Sequence, residues 1–345
     1  MSGTVSAGGA IDVLGIGLNA TDTVILVDAF PPYAGKVAFQ EEFLSPGGQV
    51  ASAMVACARL GLRTKYIGTI GDDHRGKIQR DSLAGTGVDA SGLIVREGCP
   101  NQTAYIIVDQ RTGERTVLWQ RADCLRLKPE EVNLEDIAAA RMLHIDGYDV
   151  EAAARASACA RQKGVPVSLD VDTVYPDFER VLQNVDYLVA SHNWTREWTR
   201  ESDPFVGLSR LAREYNFAVS AMTLGEDGSL AYRNGEWFYS PAFELDCVDT
   251  TGAGDVFHGA FCYAMLANMP MQEVLEFSNA AAGLNCTAFG ARGHVPVLSE
   301  VNALLASYAD GRVKRRRGGA YAELQLAELH FAELKQRAQY GTEPA

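Results

Sequence analysis

The chain has 345 residues, 47% hydrophobic and 22% charged, proportions that fit one large folded domain or two ordinary ones and exclude wholesale disorder. Its 31 basic and 44 acidic residues give a net charge of −13, which argues against nucleic acid as the main partner. No apolar run reaches the roughly 18 residues of a membrane span, and the N-terminus does not resemble a secretion signal.

Short strands and amphipathic helices alternate along most of the chain. In chain order, the pattern predicts strands at residues 11–17 and 21–27, a helix at 50–60, strands at 65–70 and 142–146, a helix at 152–163, a strand at 166–170, a helix at 176–183, a strand at 187–190, a helix at 205–215 and a strand at 218–223. Beyond residue 255 the chain is predicted to be mostly helical. Such alternation is typical of a three-layer α/β/α domain with a mainly parallel sheet.

Two stretches interrupt the alternation. Residues 24–43 and 103–119 are rich in strand formers without a helix between them, and residues 110–113 read as a hairpin turn. We interpret these stretches, within about 17–45 and 98–120, as a small β lid over one end of the sheet.

The C-terminal tail differs in composition from the domain at residues 1–311. Residues 312–317 form a basic run, and a helix-prone segment follows at 320–338. The tail, 312–345, is interpreted as a basic linker followed by a helix. That helix either folds back on its own domain or joins a dimer, and disorder is the third alternative.

The seven cysteines are scattered and form no C-x-x-C pair. Because most have apolar neighbours, we interpret them as reduced packing residues of a cytoplasmic protein.

One segment indicates chemistry: Asp249-Thr-Thr-Gly-Ala-Gly-Asp255, followed at once by an apolar helical run at 256–266. The first N–H groups of a helix lack acceptors within it, and glycine lets an anion approach them closely. Since a carboxylate opposes a bound anion, Asp255 is interpreted as a base that takes a proton while the amides neutralise a phosphoryl group. The alternative is that Asp255 only caps the helix.

The same segment, continued by Val-Phe-His-Gly-Ala-Phe to residue 261, resembles the C-terminal signature of the ribokinase-like (PfkB) carbohydrate kinases. Gly47-Gly48-Gln49, Ala-Arg-Leu-Gly at 58–61 and Tyr-Ile-Gly-Thr-Ile-Gly-Asp-Asp at 66–73 resemble its N-terminal half. The resemblance spans about residues 11–298. It implies a ribokinase-like fold and transfer of the γ-phosphoryl group of ATP to a sugar hydroxyl, with Mg²⁺ as a cofactor and K⁺ as a further candidate.

The resemblance also implies roles for individual residues. Asp255 would deprotonate the acceptor hydroxyl, and the amides of Gly252, Ala253 and Gly254 would hold the phosphoryl group. The implied sugar-binding residues are Asn19, Asp22, Lys36, Gly47, Gly48, Gln49, Arg115 and Asp146. The implied nucleotide-binding residues are Asn193, Thr223, Gly225, Gly228 and Asn279, and the implied monovalent-cation site is Asp249, Thr251 and Gly290. For Arg115, a solvated hairpin arginine is an equal alternative.

Several positions depart from the family pattern. Arg196 occupies the glutamate position of the Asn193-x-x-Glu motif, which bears on the magnesium network. Ser52 stands where ribokinases have a sugar-binding Asn. Lys36 and residues 284–296 resemble the sulfofructose kinase branch, and Arg115 resembles ketohexokinase-like members. Tyr148, however, lies near the expected position of a sulfonate-binding arginine.

Two other functions remain open from the sequence: a nucleoside kinase on the same fold, and a non-catalytic sugar or nucleotide sensor. We expect a small sugar as the substrate and a homodimer as the assembly, with neither nucleic acid nor membrane as a partner. His258, one turn into the helix that follows Asp255, is predicted to be a packing residue.

Overall fold

A nine-stranded sheet forms the body of the protein in the computed structural model, which describes residues 10–316. From edge to edge its strands are β13 (Glu236–Ser240), β12 (Ser229–Arg233), β11 (Val219–Thr223), β10 (Tyr187–Ser191), β9 (Val167–Val171), β8 (Ala140–Ile145), β1 (Ile11–Ile16), β4 (Thr64–Gly71) and β5 (Asp89–Arg96). The strands from β11 to β5 are parallel, as predicted. The antiparallel hairpin β12–β13 and the edge strand β5 were not predicted.

Helices cover both faces of this sheet. Their bounds are α1 (Gln49–Arg59), α2 (His74–Gly85), α3 (Leu134–Ala139), α4 (Val150–Lys163), α5 (Glu179–Leu182), α6 (His192–Thr199), α7 (Pro204–Tyr215), α8 (Ala253–Leu266), α9 (Met271–Asn285) and α10 (Leu298–Ala309). Adjacent strand residues face opposite sides, so Val13 packs in a core with α1, α8, α9 and α10, whereas Leu14 packs in a core with α3 to α7. The three-layer prediction is confirmed, although α5 is shorter than the helix predicted at 176–183.

A second, four-stranded sheet forms the lid. Its order is β3 (Glu41–Gly47), β2 (Ala20–Val27), β6 (Thr103–Asp109) and β7 (Arg115–Gln120). The predicted hairpin turn joins β6 to β7, where the Gly113 N–H donates to the Asp109 carbonyl at 2.8 Å. Residues 28–40, by contrast, form a loop and not the strand-rich segment expected there.

The prediction that all seven cysteines are reduced is wrong for one pair. Cys99 and Cys124 form a disulfide, with their Cα atoms 6.1 Å apart. Cys99 precedes β6 and Cys124 follows β7, so the bridge joins the two ends of the lid hairpin. Cysteine spacing in a sequence carries no information on this proximity, because the hairpin between them brings the two residues together.

The described chain remains in contact with the body up to its last residues. The guanidinium of Arg315 lies 3.7 Å from the centroid of the Phe243 ring and 4.5 Å from that of Tyr308. The tail helix predicted at 320–338 lies outside the described residues. Within residues 10–316, no helix is both long enough and apolar enough to cross a bilayer.

Candidate active site

The N-terminus of α8 presents unpaired backbone amides to open space. Gly252 caps the helix with φ of 75°, and a Cβ there would lie 2.1 Å from the Ala291 carbonyl oxygen, so only glycine fits. A Cβ on Gly254 would meet no atom within 4 Å. In the described part of the chain, the N–H groups of Gly254 and Asp255 have no backbone acceptor. These donors are available to an anion, and the helix dipole favours one there.

Asp249 holds the loop before this helix in place. One oxygen of its buried carboxylate accepts from the Thr251 N–H at 2.9 Å and the Thr251 hydroxyl at 2.7 Å, and the other accepts from the Gly290 N–H at 2.8 Å. Asn285 donates to the Thr251 carbonyl at 3.2 Å. The three residues of the predicted cation site are therefore brought together, with the carboxylate already accepting three hydrogens.

Asp255 is half-buried and, among the described residues, makes no hydrogen bond. Burial raises its pKa well above the ordinary aspartate value, and the charges of Asp170 and Asp172 raise that pKa further, while Arg292 lowers it. Since burial and neighbouring anions disfavour its charged form, Asp255 holds a proton more readily than an exposed aspartate does. A carboxylate tuned in this way suits a general base working nearer neutral pH.

Two further buried carboxylates lie on the lid side of the site. Burial raises the pKa of Asp22 to about 7, partly offset by Arg292 and Arg75. A Cβ on Gly47 would lie 2.4 Å from an Asp22 oxygen, so this glycine leaves room for the carboxylate. Burial also raises the pKa of Asp146 to about 7.

The carboxylate of Asp146 is oriented by backbone donors. It accepts from the Leu18 N–H at 2.6 Å and from the Tyr148 N–H at 3.0 Å. Beside it, a cavity of about 280 Å³ opens at the base of the lid; its lining includes Arg121, Tyr148, Asp149 and Tyr175. Arg121 pairs with Asp149 at 2.7 Å, so its charge is already neutralised.

Three of the predicted sugar contacts also hold the fold together. Asn19 donates to the Tyr66 hydroxyl at 3.0 Å and to the Thr69 carbonyl at 2.8 Å, and its own carbonyl oxygen is buried without a partner. Gly48, with φ of 92°, packs against the Asn19 backbone, where a Cβ would lie 2.3 Å away. Gln49 begins α1 and donates to Asp170 at 3.5 Å.

The structure separates the two basic residues of the lid. Arg115, at the start of β7, donates to the hydroxyl of Thr250 in the loop before α8. This contact reaches across from the lid to the body. Lys36 is exposed in the 28–40 loop, and the structure brings it into contact with no other candidate residue.

The predicted nucleotide residues follow the carboxyl ends of β10 and β11. Asn193 is exposed at the start of α6, and Thr223 ends β11. Gly225 and Gly228 have φ of 61° and 98°, and a Cβ on Gly228 would lie 2.1 Å from the Ser240 carbonyl oxygen. Asn279 donates to that same carbonyl at 2.8 Å.

Adjacent parallel strands thus align the candidates along one edge of the sheet. Asp146 follows β8, Asp172 follows β9, Asn193 follows β10 and Thr223 ends β11. Ligands of open α/β sheets bind outside such carboxyl ends. Asp255 lies at the start of the helix that packs over β8 and β9.

Sequence reasoning missed Arg292, a central basic residue of the site. Its guanidinium donates to Ser52 at 3.0 Å, to Ser82 at 2.8 Å and to the Gly47 carbonyl at 2.8 Å. Burial lowers its pKa to about 10, with Asp255 and Asp22 opposing this shift. Arg292 lies within a segment used for the family resemblance, but nothing in the sequence indicated that its side chain reaches the site.

Asp170 and Asp172 were also missed, although a signal was present. Both stand at the carboxyl end of a predicted parallel strand, where functional side chains concentrate. His258 is buried, as expected of a packing residue, and it also makes a polar contact that was not expected: its Nε2 lies 3.0 Å from an oxygen of Asp170.

Comparisons with known proteins agree with this geometry. The family model described as "pfkB family carbohydrate kinase" matches residues 11–298. The chain is 28% identical over 302 residues to the ATP-dependent ribose-1-phosphate kinase of Halopiger xanaduensis, covering 87% of this chain and all of that one. It is 29% identical over 311 residues to the fructokinase of Solanum tuberosum, covering 85% and 97%. A solved structure from Agrobacterium tumefaciens, provisionally assigned as a ribokinase, superposes with a TM-score of 0.81 at 30% identity, covering 88% of this chain and 99% of that one.

Proposed function

The chain belongs to the pfkB family of carbohydrate kinases, and we propose how its own residues phosphorylate a sugar hydroxyl at the expense of ATP. The observation that carries the proposal is the start of α8, where the free amides of Gly254 and Asp255, open space at Gly254 and the half-buried Asp255 carboxylate lie together. Little covalent chemistry is asked of a kinase, so placement and electrostatic stabilisation supply most of the rate enhancement.

Asp255 takes the proton of the acceptor hydroxyl as that oxygen attacks the γ-phosphorus, the bond from the γ-phosphorus to the β,γ-bridging oxygen breaks, and ADP leaves. The amides of Gly252, Ala253 and Gly254 donate to the phosphoryl oxygens; that of Ala253 also donates to the Thr250 carbonyl at 3.3 Å, whereas that of Gly254 has no backbone acceptor. Because these amides stand at the fixed start of α8, they need little reorganisation during the reaction. Arg115, already in contact with Thr250 in this loop, adds a positive charge from the lid side.

Asp22 and Asp146 bind hydroxyl groups of the sugar. Both carboxylates are buried. A polyol supplies hydroxyl donors to Asp22 and adds to the two backbone donors that Asp146 already has. Asn19 contributes its free carbonyl oxygen. Gly47 and Gly48 let the backbone approach the sugar, and Gln49 and Lys36 complete the contacts when the lid closes and excludes water.

The nucleotide lies along the carboxyl ends of β10 and β11. Gly225 and Gly228 keep this surface open for the nucleotide. Asn193 and Thr223 contact the phosphates of the nucleotide. Asn279 holds the strand that lies beside the base. Asp172 and Asn193 are exposed oxygen donors of the kind that Mg²⁺ binds, usually together with several waters. Mg²⁺ supplies neutralisation of the phosphate charge when bound. Arg196 is exposed on α6, the helix that also carries Asn193. It places a cation where the family pattern has a glutamate, and this cation attracts the phosphates of the nucleotide.

Binding of K⁺ at Asp249 is a separate part of the proposal. The carboxylate of Asp249 already accepts three hydrogens from Thr251 and Gly290, and a carboxylate has about four acceptor positions. An ion there would therefore use the remaining position together with backbone carbonyls. Activation by K⁺ over Na⁺ tests this part separately.

We propose a small neutral sugar, such as a ketose, as the acceptor. Arg121, the basic residue nearest to Tyr148, is neutralised by Asp149, so the charges beside Asp146 do not favour a sulfonate. This weighs against the sulfofructose kinase branch.

We also propose a homodimer formed through the lid. The outer side of the lid exposes a row of apolar side chains on neighbouring strands, Leu44, Tyr105 and Leu118, with 40%, 46% and 59% of their surface accessible. Exposed apolar side chains grouped in this way mark interaction surfaces, and the edge strand β7 has unpaired backbone groups beside them.

The direct test is ADP release from ATP and Mg²⁺ with a panel of ketoses, aldoses, sugar acids, sulfosugars, ribose 1-phosphate and nucleosides. We expect at least one sugar to support turnover well above the sugar-free rate. Turnover with nucleosides alone would establish a nucleoside kinase. Binding of ATP and sugar without ADP release from any acceptor would establish a sensor.

A further inference from the structure

Three buried side chains from three elements converge behind the active-site helix. His144 lies on β8, Asp170 on β9 and His258 on α8, and each is at most 4% exposed. One nitrogen or oxygen atom from each residue lies within 4.8 Å of the corresponding atoms of the other two. The phosphoryl-transfer mechanism proposed above uses none of these side chains.

Each member of the cluster has a buried polar atom without a hydrogen bond. These atoms are His144 Nε2, Asp170 Oδ2 and His258 Nδ1. Leaving such a group unpaired costs about 1–3 kcal/mol, so each of these side chains calls for a missing partner, either a water or an ion.

The contacts already made by the cluster resemble those around metal ligands. The Nδ1 atom of His144 lies 3.3 Å from the hydroxyl of Ser168, and a metal-binding histidine usually has its second nitrogen held in this way. His258 Nε2 and Asp170 Oδ1 are 3.0 Å apart, which matches the separation of roughly 3 Å between two ligands on one ion with bonds of about 2 Å.

The ligand types select the class of ion. Two imidazoles and one carboxylate suit divalent first-row transition metals, whereas Mg²⁺ prefers oxygen ligands. The cluster lies close to Asp172 and Asp255, whose negative charges favour a cation. We propose that His144, Asp170 and His258 form a buried site for a divalent transition-metal ion such as Zn²⁺, separate from the Mg²⁺ that accompanies ATP. This proposal does not depend on the sugar-kinase mechanism.

Such an ion would join α8 to the central sheet. His258 lies one helical turn after Asp255, so its fixation also fixes the start of the helix that carries Asp255 and the phosphoryl-binding amides. We assign the ion a structural and positioning role.

The test uses tag-free, full-length protein incubated with Zn²⁺ in the presence of excess Mg²⁺, desalted, and measured by plasma mass spectrometry. We expect one zinc ion per chain, a visible absorption spectrum after replacement by Co²⁺, and a lower Tm after chelation. His144→Gln and His258→Gln should lose the ion. Ser168→Ala should lower the affinity by about 10- to 100-fold, and His74→Gln, an exposed control on α2, should bind as the wild type does.

Wild-type protein without zinc and without a Co²⁺ spectrum would overturn the proposal, even if the variants fail to fold, and would identify water as the partner of these atoms. Unchanged zinc binding by folded His258→Gln would also overturn it, because the ion would then lie elsewhere, for example on the exposed Cys247.

Discussion

Buried carboxylates dominate this site at the scale of single residues. Asp22, Asp146 and Asp255 all have raised pKa values because burial disfavours their charged forms, and the basic residue that opposes the shifts of Asp22 and Asp255 is Arg292. Its guanidinium donates to the Gly47 carbonyl, and its charge acts on both carboxylates. The charge state of the site therefore depends on a residue to which the sequence analysis assigned no role.

Replacing Arg292 should move the pH dependence of catalysis. Arg292→Gln removes a positive charge that lowers the pKa of Asp255, so that pKa rises further, and the acid limb of kcat/KM should move to higher pH. Arg292→Lys keeps the positive charge but cannot donate the set of hydrogen bonds that the planar guanidinium makes. Its acid limb should stay near that of the wild type, even where kcat falls. Coinciding limbs for wild type and Arg292→Gln would show that Arg292 does not control the base.

The buried carboxylate of Asp22, which we propose binds the sugar, should lower the stability of the folded protein. Its folded-state pKa of about 7 lies above the ordinary aspartate value of 3.8, so the folded protein binds more protons than the unfolded chain between these two pH values. Asp22 therefore destabilises the fold increasingly as pH rises toward 7, by on the order of 1 kcal/mol per unit of pKa difference.

Asp22→Asn should accordingly melt higher than the wild type near pH 8, with a smaller difference near about pH 5, where Asp22 is largely protonated. Its KM for the sugar should rise. Exposed Asp246→Asn serves as the matched control and should change neither Tm nor KM. An equal Tm for Asp22→Asn and wild type at the higher pH would contradict the assigned burial penalty.

At the scale of elements, periodicity predicted most of the strands and helices whose apolar faces pack in the two cores, but it missed α3 and α6. Residues 65–70 and 205–215, for example, lie within β4 and α7. It failed for residues 28–40. The β-forming residues there lie in the loop that joins β2 to β3, the two lid strands that pair with each other. It also failed for β5, half-exposed at the edge of the sheet, where alternation is weak.

The site was predictable to the extent that it lies in contiguous motifs. Gly252, Gly254 and Asp255 were identified because a glycine turn before a helix has a direct physical meaning. Arg292 and the His144–Asp170–His258 cluster depend on which side chains meet across separate elements. That information exists only once the sheet order and the packing of α8 are known.

The lid hairpin carries a testable covalent restraint. The Cys99–Cys124 bridge closes a loop of 25 residues, and closure of such a loop stabilises a fold by about 3 kcal/mol in the chain-entropy model. Reduction, or Cys124→Ser, should lower the free energy of unfolding by about this amount. Cys247→Ser, an exposed cysteine outside the bridge, should have no such effect. Equal stability of oxidised and reduced protein would contradict the bridge.

At the scale of the whole molecule, the lid links the two halves of the site. β2 and β3 carry Asp22 and Gly47, while β7 carries Arg115, which reaches the loop before α8. The exposed apolar side of the same sheet is then available for a second copy. The lid sheet would then both close over the sugar and form the interface of the dimer.

Dimerisation is tested by charging that surface. Leu118→Glu should shift the sedimentation coefficient from dimer to monomer, because a desolvated carboxylate disfavours an apolar interface. Val95→Glu places the same charge on an equally apolar exposed position, at the edge of the body, and should leave the dimer intact. If the Val95→Glu dimer dissociated and the Leu118→Glu dimer did not, the interface would be assigned to β5 and not to the lid.

The most direct test of the account is the turnover of Asp255→Asn, measured beside its affinity for ATP by calorimetry. The amide has nearly the same shape as the carboxylate but cannot accept the hydroxyl proton. We predict that kcat falls at least about 100-fold, with ATP affinity within a few-fold of the wild type because the α8 amides are unchanged. Turnover near the wild-type rate would remove Asp255 as the base and contradict the account.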